Sequence, residues 1–385
     1  MSTELIYQLA TEERKQQNRF RQLRTLATTG GAEIFLDDGR SLINFASNDY
    51  LSLSQHPELK QRSIEYTQKY GAGSGSSRLV SGNLSVFEKL ERKIADFKGT
   101  EAALVLPSGY QTNVTVLAAL GRKQTLLASD HENHNSIMMG MQLSQGQWRR
   151  YKHNDLTHLE TILSKSNASS KWIVSESVFS MDGNVSDLDA ISAAATRYDA
   201  AIYIDEAHAT GVLGDDGRGL CFGRSDVTLI MGTFSKAFGA FGAYVACSNA
   251  IKQYLVNFCP GLIYSTALPP SVLGAIDAGL DVVPEMNSER AHLMQQSSLL
   301  REALNAMGFS TGRSSTQIIP VIVGDDAEAL SLARHLEESG ILAPAIRPPT
   351  VPEGEARVRI SLTAAHQPEH IEMLLSTIKR WRPHG

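Results

Sequence analysis

Apolar and polar positions change rhythm along the chain. From about residue 57 to 250, short and nearly continuous apolar runs at 103–107, 125–130, 171–178, 200–205 and 227–234 alternate with helical stretches such as 186–199. Such runs lack the in-out alternation of a half-exposed strand and match strands covered on both faces of a parallel sheet. The expected fold class is therefore α/β, with a mainly parallel sheet. After Pro284 the order becomes a helix at 287–307, a strand at 316–325, a helix at 326–339, strands at 345–349 and 357–363, and a helix at 368–381. That order predicts a smaller α+β domain. Upstream, 3–26 reads as a polar helix and 34–45 as a hairpin turning at Asp38-Gly39. The expected division is an N-terminal arm at 1–45, a large domain at 46–283 and a small domain at 284–385. The only low-complexity stretch is GAGSGSS at 71–77, after a helix-like segment, where a flexible loop is expected.

Composition narrows the classes. The 385 residues are 42% hydrophobic and 20% charged, enough for at least one large core. Lys and Arg total 36 against 41 Asp and Glu, a formal charge of -5, which argues against a nucleic-acid binder that would need a basic footprint. The three cysteines, Cys221, Cys247 and Cys259, are too far apart for a CxxC pair and odd in number. They indicate neither a disulfide framework nor a thiolate metal site. The first residues carry Glu4, Glu12 and Glu13 with no apolar signal core, and no run reaches the ~18 residues of a membrane span. A cytoplasmic protein without membrane or nucleic-acid partners is expected.

Some motifs mislead. Asp205-Glu-Ala-His208 spells the DEAH of nucleic-acid-dependent ATPases, but no GxxxxGK[ST] phosphate loop accompanies it. Gly308-Phe-Ser310-Thr-Gly312 matches the elbow of serine hydrolases; it follows a helix and precedes a strand, the reverse of what an elbow needs, and a helix cap with a turn explains it. His131 and His134 are spaced to share a helix face and bind a metal, yet no thiolate or third histidine stands near them in sequence. No metal site is expected.

Lys236 is harder to dismiss. It lies just past an apolar strand, in Thr233-Phe-Ser-Lys236-Ala-Phe-Gly239-Ala-Phe-Gly242, and lysine is rarely buried without a partner. A solvated lysine is the bland alternative; a Schiff base with an aldehyde cofactor is the functional one. Asp205 also ends an apolar strand, and parallel strands present their C-terminal ends at one edge, where ligands bind. Pyridoxal 5'-phosphate (PLP) needs both groups: an amine for its aldehyde, and a carboxylate that keeps its ring nitrogen protonated. Ser108-Gly109-Tyr110 opens a helix suited to the phosphate, with Thr233 and Ser235 as added hydroxyls, although an ordinary strand-to-helix turn would explain it if it stood by itself. Arg359 shares a strand face with Arg357. A carboxylate clamp and a pair of solvated arginines are the two readings.

The motifs Asn48-Asp-Tyr-Leu, Ser177-Val-Phe-Ser180-Met-Asp-Gly, Asp205-Glu-Ala-His208 and Thr233-Phe-Ser-Lys236-Ala-Phe-Gly, in this order, resemble the α-oxoamine synthases. These are PLP enzymes with the aspartate aminotransferase fold, fold type I, and the resemblance covers almost the whole chain. Ala345-Ile-Arg-Pro-Pro-Thr350-Val-Pro, followed by Arg357 through His366, narrows the resemblance to members that act in biotin biosynthesis. What it implies is a condensation of L-alanine with a pimeloyl thioester, on coenzyme A or an acyl carrier protein, with loss of carbon dioxide. A glycine acetyltransferase or another decarboxylating synthase is the alternative. Lys236, His134 and Asp205 would be catalytic. Gly109, Tyr110, His134, Ser180, Asp205, His208, Thr233 and Lys236 would hold the cofactor, with His134 stacked on its ring. Arg21, Asn48, His134, Thr350 and Arg359 would bind substrate; Arg19 and Arg24 are easily confused with Arg21. The resemblance further implies a homodimer in which the loop carrying Thr266 reaches the neighbour's phosphate.

Overall fold

The computed structural model describes residues 2–28 and 30–382. Met1 and Thr29 of the expected arm, and 383–385 of the expected small domain, lie outside the described residues. The chain divides into two compact units, one of Asp49–Ser180 with Asn184–Ala291, the other of Met1–Asn48, Met181–Gly183 and His292–Gly385. The expected arm is thus part of the same unit as the C-terminal residues, and the reason is pairing. Helix α1 (Thr3–Gln16) buries no residue and ends ten residues short of expectation, two residues before Asn18, which lies in the left-handed region (φ 56). The hairpin that follows, β1 (Glu33–Phe35) and β2 (Ser41–Asn44), buries Ile34, Leu36 and Leu42. A lone hairpin is marginal; this one extends its sheet with a strand from the far end of the chain.

The larger unit begins with α2 (Pro57–Tyr70) and α3 (Ser85–Lys98). It then alternates: β3 (Ala102–Leu106), α4 (Gly109–Leu120), β4 (Thr125–Asp130), α5 (Asn135–Leu143), β5 (Gln147–Tyr151), α6 (Leu156–Ser164), β6 (Ser170–Glu176), α7 (Leu188–Tyr198) and β7 (Ala201–Asp205). β8 (Leu229–Thr233) and β9 (Ala243–Cys247) are followed by α8 (Asn249–Phe258), α9 (Pro260–Ile263) and α10 (Pro270–Val282). The seven strands run in the order β3-β9-β8-β7-β6-β4-β5. β9 alone runs against its neighbours, because the turn from Phe234 to Gly242 folds it back on β8 as a hairpin. Interior strands β4 and β8 are buried at every position, whereas edge strand β5 exposes Arg149 and Arg150, charges that discourage further pairing. Register places Glu176 of β6 opposite Asp205 of β7, and Asp205 opposite Met231 of β8, so the C-terminal ends of the parallel strands form one edge. Leu104, Val116, Ile137, Val174, Tyr203 and Met231 belong to the core between sheet and helices.

The chain enters the smaller unit along α11 (Asn287–Ala306) and continues through β10 (Ile318–Gly324), α12 (Asp326–Glu338), β11 (Ile341–Leu342), β12 (Ala345–Ile346), β13 (Ala356–Ser361) and α13 (Pro368–Arg380). β11 pairs parallel with β2, and β10-β13-β12 form a second, antiparallel sheet. Among the described residues no helix is long and apolar enough to cross a membrane.

Candidate active site

In the larger unit the sheet topology brings the residues expected around Lys236 to one edge. Lys236 lies three residues past β8, in the hairpin connection, half-buried, with Nζ 2.8 Å from His208 Nε2. An ammonium only donates, so His208 Nε2 accepts, and its Nδ1 meets Tyr50 Oη at 2.7 Å. Gly239 makes this turn possible. It has φ +61, and a Cβ there would lie 2.2 Å from the backbone nitrogen of Ser54. That nitrogen and the one of Leu53 are held by the Asp49 carboxylate at 3.1 and 2.9 Å, which draws the Asp49-Tyr50 loop under the lysine turn.

Asp205 ends β7, almost fully buried, and its direct bonds come from neutral donors: Asn113 Nδ2 to Oδ2 at 2.7 Å and Ala207 N to Oδ1 at 2.8 Å. Glu206, next in sequence, turns away to a buried ion pair with Lys98. The DEAH string is thereby split between the site and the core. His134 caps the N-terminus of α5 and its backbone N–H donates to Glu176 Oε1. Burial lowers the His134 pKa below the ordinary histidine value; Asp205 opposes this and Lys236 adds to it. Glu176 is pushed well above the ordinary carboxyl range by burial and then by the charge of Asp205.

α4 opens at the same edge. Its cap Ser108 accepts the N–H of Gln111 at 3.2 Å, and the first N–H groups of a helix have no intrahelical acceptor. A Cβ on Gly109 would stand 3.2 Å from Met231 Cε and 3.6 Å from Thr233 Cβ, so glycine lets the helix start seat against the end of β8. The Tyr110 ring, half exposed, meets His134 edge-on at 6.4 Å. Thr233 Oγ1 donates to Gly242 O at 2.9 Å and accepts from Ser235 N at 3.2 Å, which shapes the turn. Ser180 is buried in the loop after β6, which Phe179 N closes on Asn184 O at 3.0 Å. Thr266 bridges to Ser77, and Ser74 Oγ donates to Ala267 O at 2.7 Å, so the Gly/Ser stretch expected to be a free loop is pinned. Gln111 Nε2 ties the neighbouring Ser265 to the first turn of α4 at 2.6 Å.

In the smaller unit Arg359 donates to Ser361 Oγ at 2.7 Å and to Asn48 Oδ1 at 3.2 Å. Arg357, on the same strand face, is 1% exposed and ion-paired with Asp182 and Glu355. Neither arginine is solvated, which removes the bland alternative for both. Arg19 is committed to Asp326 and Glu353, and Arg24 to Glu337; Arg21 lies exposed between them and enters none of these pairs. Thr350 is exposed in the turn after β12, its N–H on Arg347 O at 3.0 Å. Ser310 lies in an isolated bridge with Ile322, its Oγ accepting from Gly312 N, so no nucleophile elbow forms. His131 is exposed, and no cluster of three or more metal-ligating side chains occurs among the described residues.

The donor set of the larger unit fits PLP. It offers an amine for the aldehyde, a buried carboxylate with neutral donors for a pyridinium, an imidazole, and a glycine-opened helix start with hydroxyls for the phosphate. Sequence reasoning gave no role to Asn113, Ser136, Tyr203, Glu176 or Tyr50. Tyr203 and Glu176 did carry a signal, Tyr203 two residues before Asp205 on the same strand face and Glu176 at an apolar strand's end, whereas nothing local marked Asn113, Ser136 or Tyr50.

Fold and site define a PLP-dependent enzyme of fold type I, with pyridoxal 5'-phosphate as cofactor. The family model described as aminotransferase class I and II matches residues 40–378. The chain belongs to the α-oxoamine synthase family and is an acyltransferase. It is 51% identical over 365 residues to the 8-amino-7-oxononanoate synthase of Gluconacetobacter diazotrophicus, covering 92% of each chain. Among solved structures, 8-amino-7-oxononanoate synthase from Francisella tularensis superposes with TM-score 0.78 and 30% identity over 88% of this chain and 97% of that one. A structure of SPT with PLP as the internal aldimine gives TM-score 0.90 and 26% identity, over 98% and 96%.

Proposed function

We propose that the enzyme condenses L-alanine with a pimeloyl thioester, releasing carbon dioxide and the free thiol and forming 8-amino-7-oxononanoate for biotin biosynthesis. The observation that carries the chemistry is the shared edge of the parallel strands, where Asp205 ends β7, Lys236 follows β8 and His134 follows β4. PLP, when bound, supplies the electron sink for the carbanion formed at the amino acid's α-carbon. Lys236 would hold its aldehyde and, as a free amine, take the substrate's α-proton on Nζ, with His208 and Tyr50 steadying that amine. Asp205 would keep the ring nitrogen protonated. His134 would cover the ring face, Ser180 and His208 would lie near the ring oxygen, and Gly109, Tyr110 and Thr233 would seat the phosphate. Arg359 and Asn48 would bind the alanine carboxylate, a bidentate match for a guanidinium, while Arg21 and Thr350 would bind the acyl substrate. The working form would be a cytoplasmic homodimer, Thr266 serving the neighbour's site.

The test is product identification by mass spectrometry with alanine and pimeloyl-coenzyme A, or the same acyl group on a carrier protein, against glycine and acetyl-coenzyme A. Formation of 8-amino-7-oxononanoate with one carbon dioxide per turnover is expected. A win for the glycine and acetyl pair would overturn the substrate assignment.

A further inference from the structure

A chain of hydrogen bonds through Asn113 and Ser136 joins Asp205 to His134. Tyr203, on β7, brings its hydroxyl to 2.6 Å from Asn113 Oδ1. A carboxylate oxygen accepts, so the Asn113 atom at 2.7 Å from Asp205 Oδ2 is the amide nitrogen, and the Tyr203 hydroxyl must then donate to the amide oxygen. The same nitrogen donates its second proton to Ser136 Oγ at 3.0 Å. Ser136 Oγ lies 2.7 Å from His134 Nδ1, and the Ser136 backbone N–H also points at that nitrogen, at 3.3 Å. A backbone N–H can only donate. His134 Nδ1 is therefore the acceptor, and the ring's single proton sits on Nε2. Asn113, Ser136, Asp205 and Tyr203 are all buried, so water does not compete for these bonds.

We propose that Tyr203, Asn113 and Ser136 form a relay that fixes the Asp205 carboxylate and locks His134 in the tautomer protonated at Nε2, which makes Asn113 and Ser136 positioning residues for both groups. The functional part of this rests on the site assignment above: it leaves His134 with one N–H donor, at Nε2, for an oxygen of the substrate. The lowered pKa of His134 agrees with a neutral imidazole.

The experiment reads the imidazole directly. Enzyme carrying 15N-histidine is examined by long-range 1H–15N NMR, before and after loading with PLP, and the His134 signals are identified by their absence from a His134→Asn sample. Expected in both states is an unprotonated Nδ1 and a protonated Nε2. Ser136→Ala should shift the tautomer ratio about tenfold toward Nδ1–H, the change expected for one lost hydrogen bond. Asn113→Leu should do the same and also weaken PLP binding about tenfold, because Asp205 loses a donor. Should Asn113→Leu fold poorly, Tyr203→Phe, which deletes one hydroxyl, tests the same link with a smaller shift. A wild-type His134 protonated at Nδ1, or a Ser136→Ala spectrum with the wild-type ratio, would overturn the proposal. Because the spectra need no substrate, failure of the substrate assignment is seen separately, as absence of the expected product.

Discussion

Two sets of buried carboxylates in the larger unit are held in opposite ways. Asp277, on α10, is surrounded by charges that the chain itself supplies: Lys93 at 2.9 Å, Arg62 at 3.0 Å and Lys89 at 3.5 Å, with the Tyr66 hydroxyl at 2.7 Å. Burial alone would raise its pKa, but the bonds from Lys93 and Tyr66 and the nearby charges bring it down to about 2. At the strand edge, Glu176 and Asp205 lie side by side in register, and their direct bonds come from backbone N–H groups and an amide. Glu176 is accordingly pushed up. The difference is one of purpose. A carboxylate ion-paired by its own chain ties helices together, whereas carboxylates whose direct bonds come from neutral donors, with Lys236 only lessening the upward push on Glu176, stay open to a further cationic group, which is the condition expected of a functional site.

The hardest test of that contrast removes the amine. Lys236→Ala should lower turnover by about 100- to 10,000-fold or more and abolish the borohydride-reducible PLP adduct. A normal adduct at another lysine, with normal turnover, would break the assignment of this edge. Next in size, the same substitution at the two aspartates should separate their roles. Asp205→Asn is expected to cost about 100-fold or more in kcat while stability falls by only about 1 kcal/mol, since the direct bonds of Asp205 come from two neutral donors, of which Asn keeps one. Asp277→Asn should leave kcat nearly unchanged and cost about 2 to 5 kcal/mol of stability, a range that covers the free energy of its pKa falling from 3.8 to about 2 and the loss of a buried pair. Denaturant unfolding beside steady-state kinetics gives both numbers. Two variants that fell together in stability, with equal effects on kcat, would erase the distinction.

The β13 arginines extend the contrast to the smaller unit. Arg359→Ala should lower kcat/KM for alanine about 10- to 100-fold with PLP still bound. Arg357 is tied to two carboxylates of its own unit, so Arg357→Ala should act on stability instead, by about 2 to 4 kcal/mol, leaving KM for alanine almost unchanged. A large KM effect from Arg357→Ala in a stable protein would reverse the two roles.

How far the sequence foretold this depended on whether a feature was local. The parallel strands were legible because strands covered on both faces read as unbroken apolar runs, and Lys236 and Asp205 stood out as charged residues at the ends of such runs. β9 was hidden: its AYVAC follows the glycines of the lysine turn, and nothing in a five-residue apolar run states direction. β5 was missed because an edge strand with two arginines has no apolar signature. The membership of the first 48 residues was illegible for another reason, since it rests on pairing between positions about 300 residues apart, Ile43 with Ile341. Likewise, Arg357 and Arg359 look alike in sequence, and only the placement of Asp182 and Asn48 tells them apart. The relay through Asn113 and Ser136 depends on two helix starts meeting at one strand end, which no spacing reveals.

The effects of pH should have opposite signs for two buried groups, His366 and Glu176. His366 is fully buried, stacked on Phe45 with centroids 4.3 Å apart, and accepts the Thr363 N–H on Nδ1 at 3.0 Å. Burial, with a lesser push from His370, lowers its pKa from 6.5 to about 4. The unfolded chain therefore binds this proton more readily than the folded one. The stability that His366 contributes is present above pH 6.5 and is lost as pH falls from 6.5 toward 4, to a total of about 3 kcal/mol. Asp277 does not interfere, since its contribution is lost only below the ordinary carboxylate pKa. Glu176 works the other way. Its folded pKa is raised, so the folded state holds the proton longer, and stability declines as pH rises above the usual carboxyl range. Glu176→Gln keeps an acceptor for the His134 N–H and should raise the melting temperature at pH 8. Unfolding curves between pH 7.5 and 4.5 should show wild type losing stability more steeply than His366→Asn. Parallel curves for those two proteins, or a Glu176→Gln variant that melts earlier at pH 8, would mean that these buried groups are compensated in solution and that the contrast with Asp277 is not one of charge.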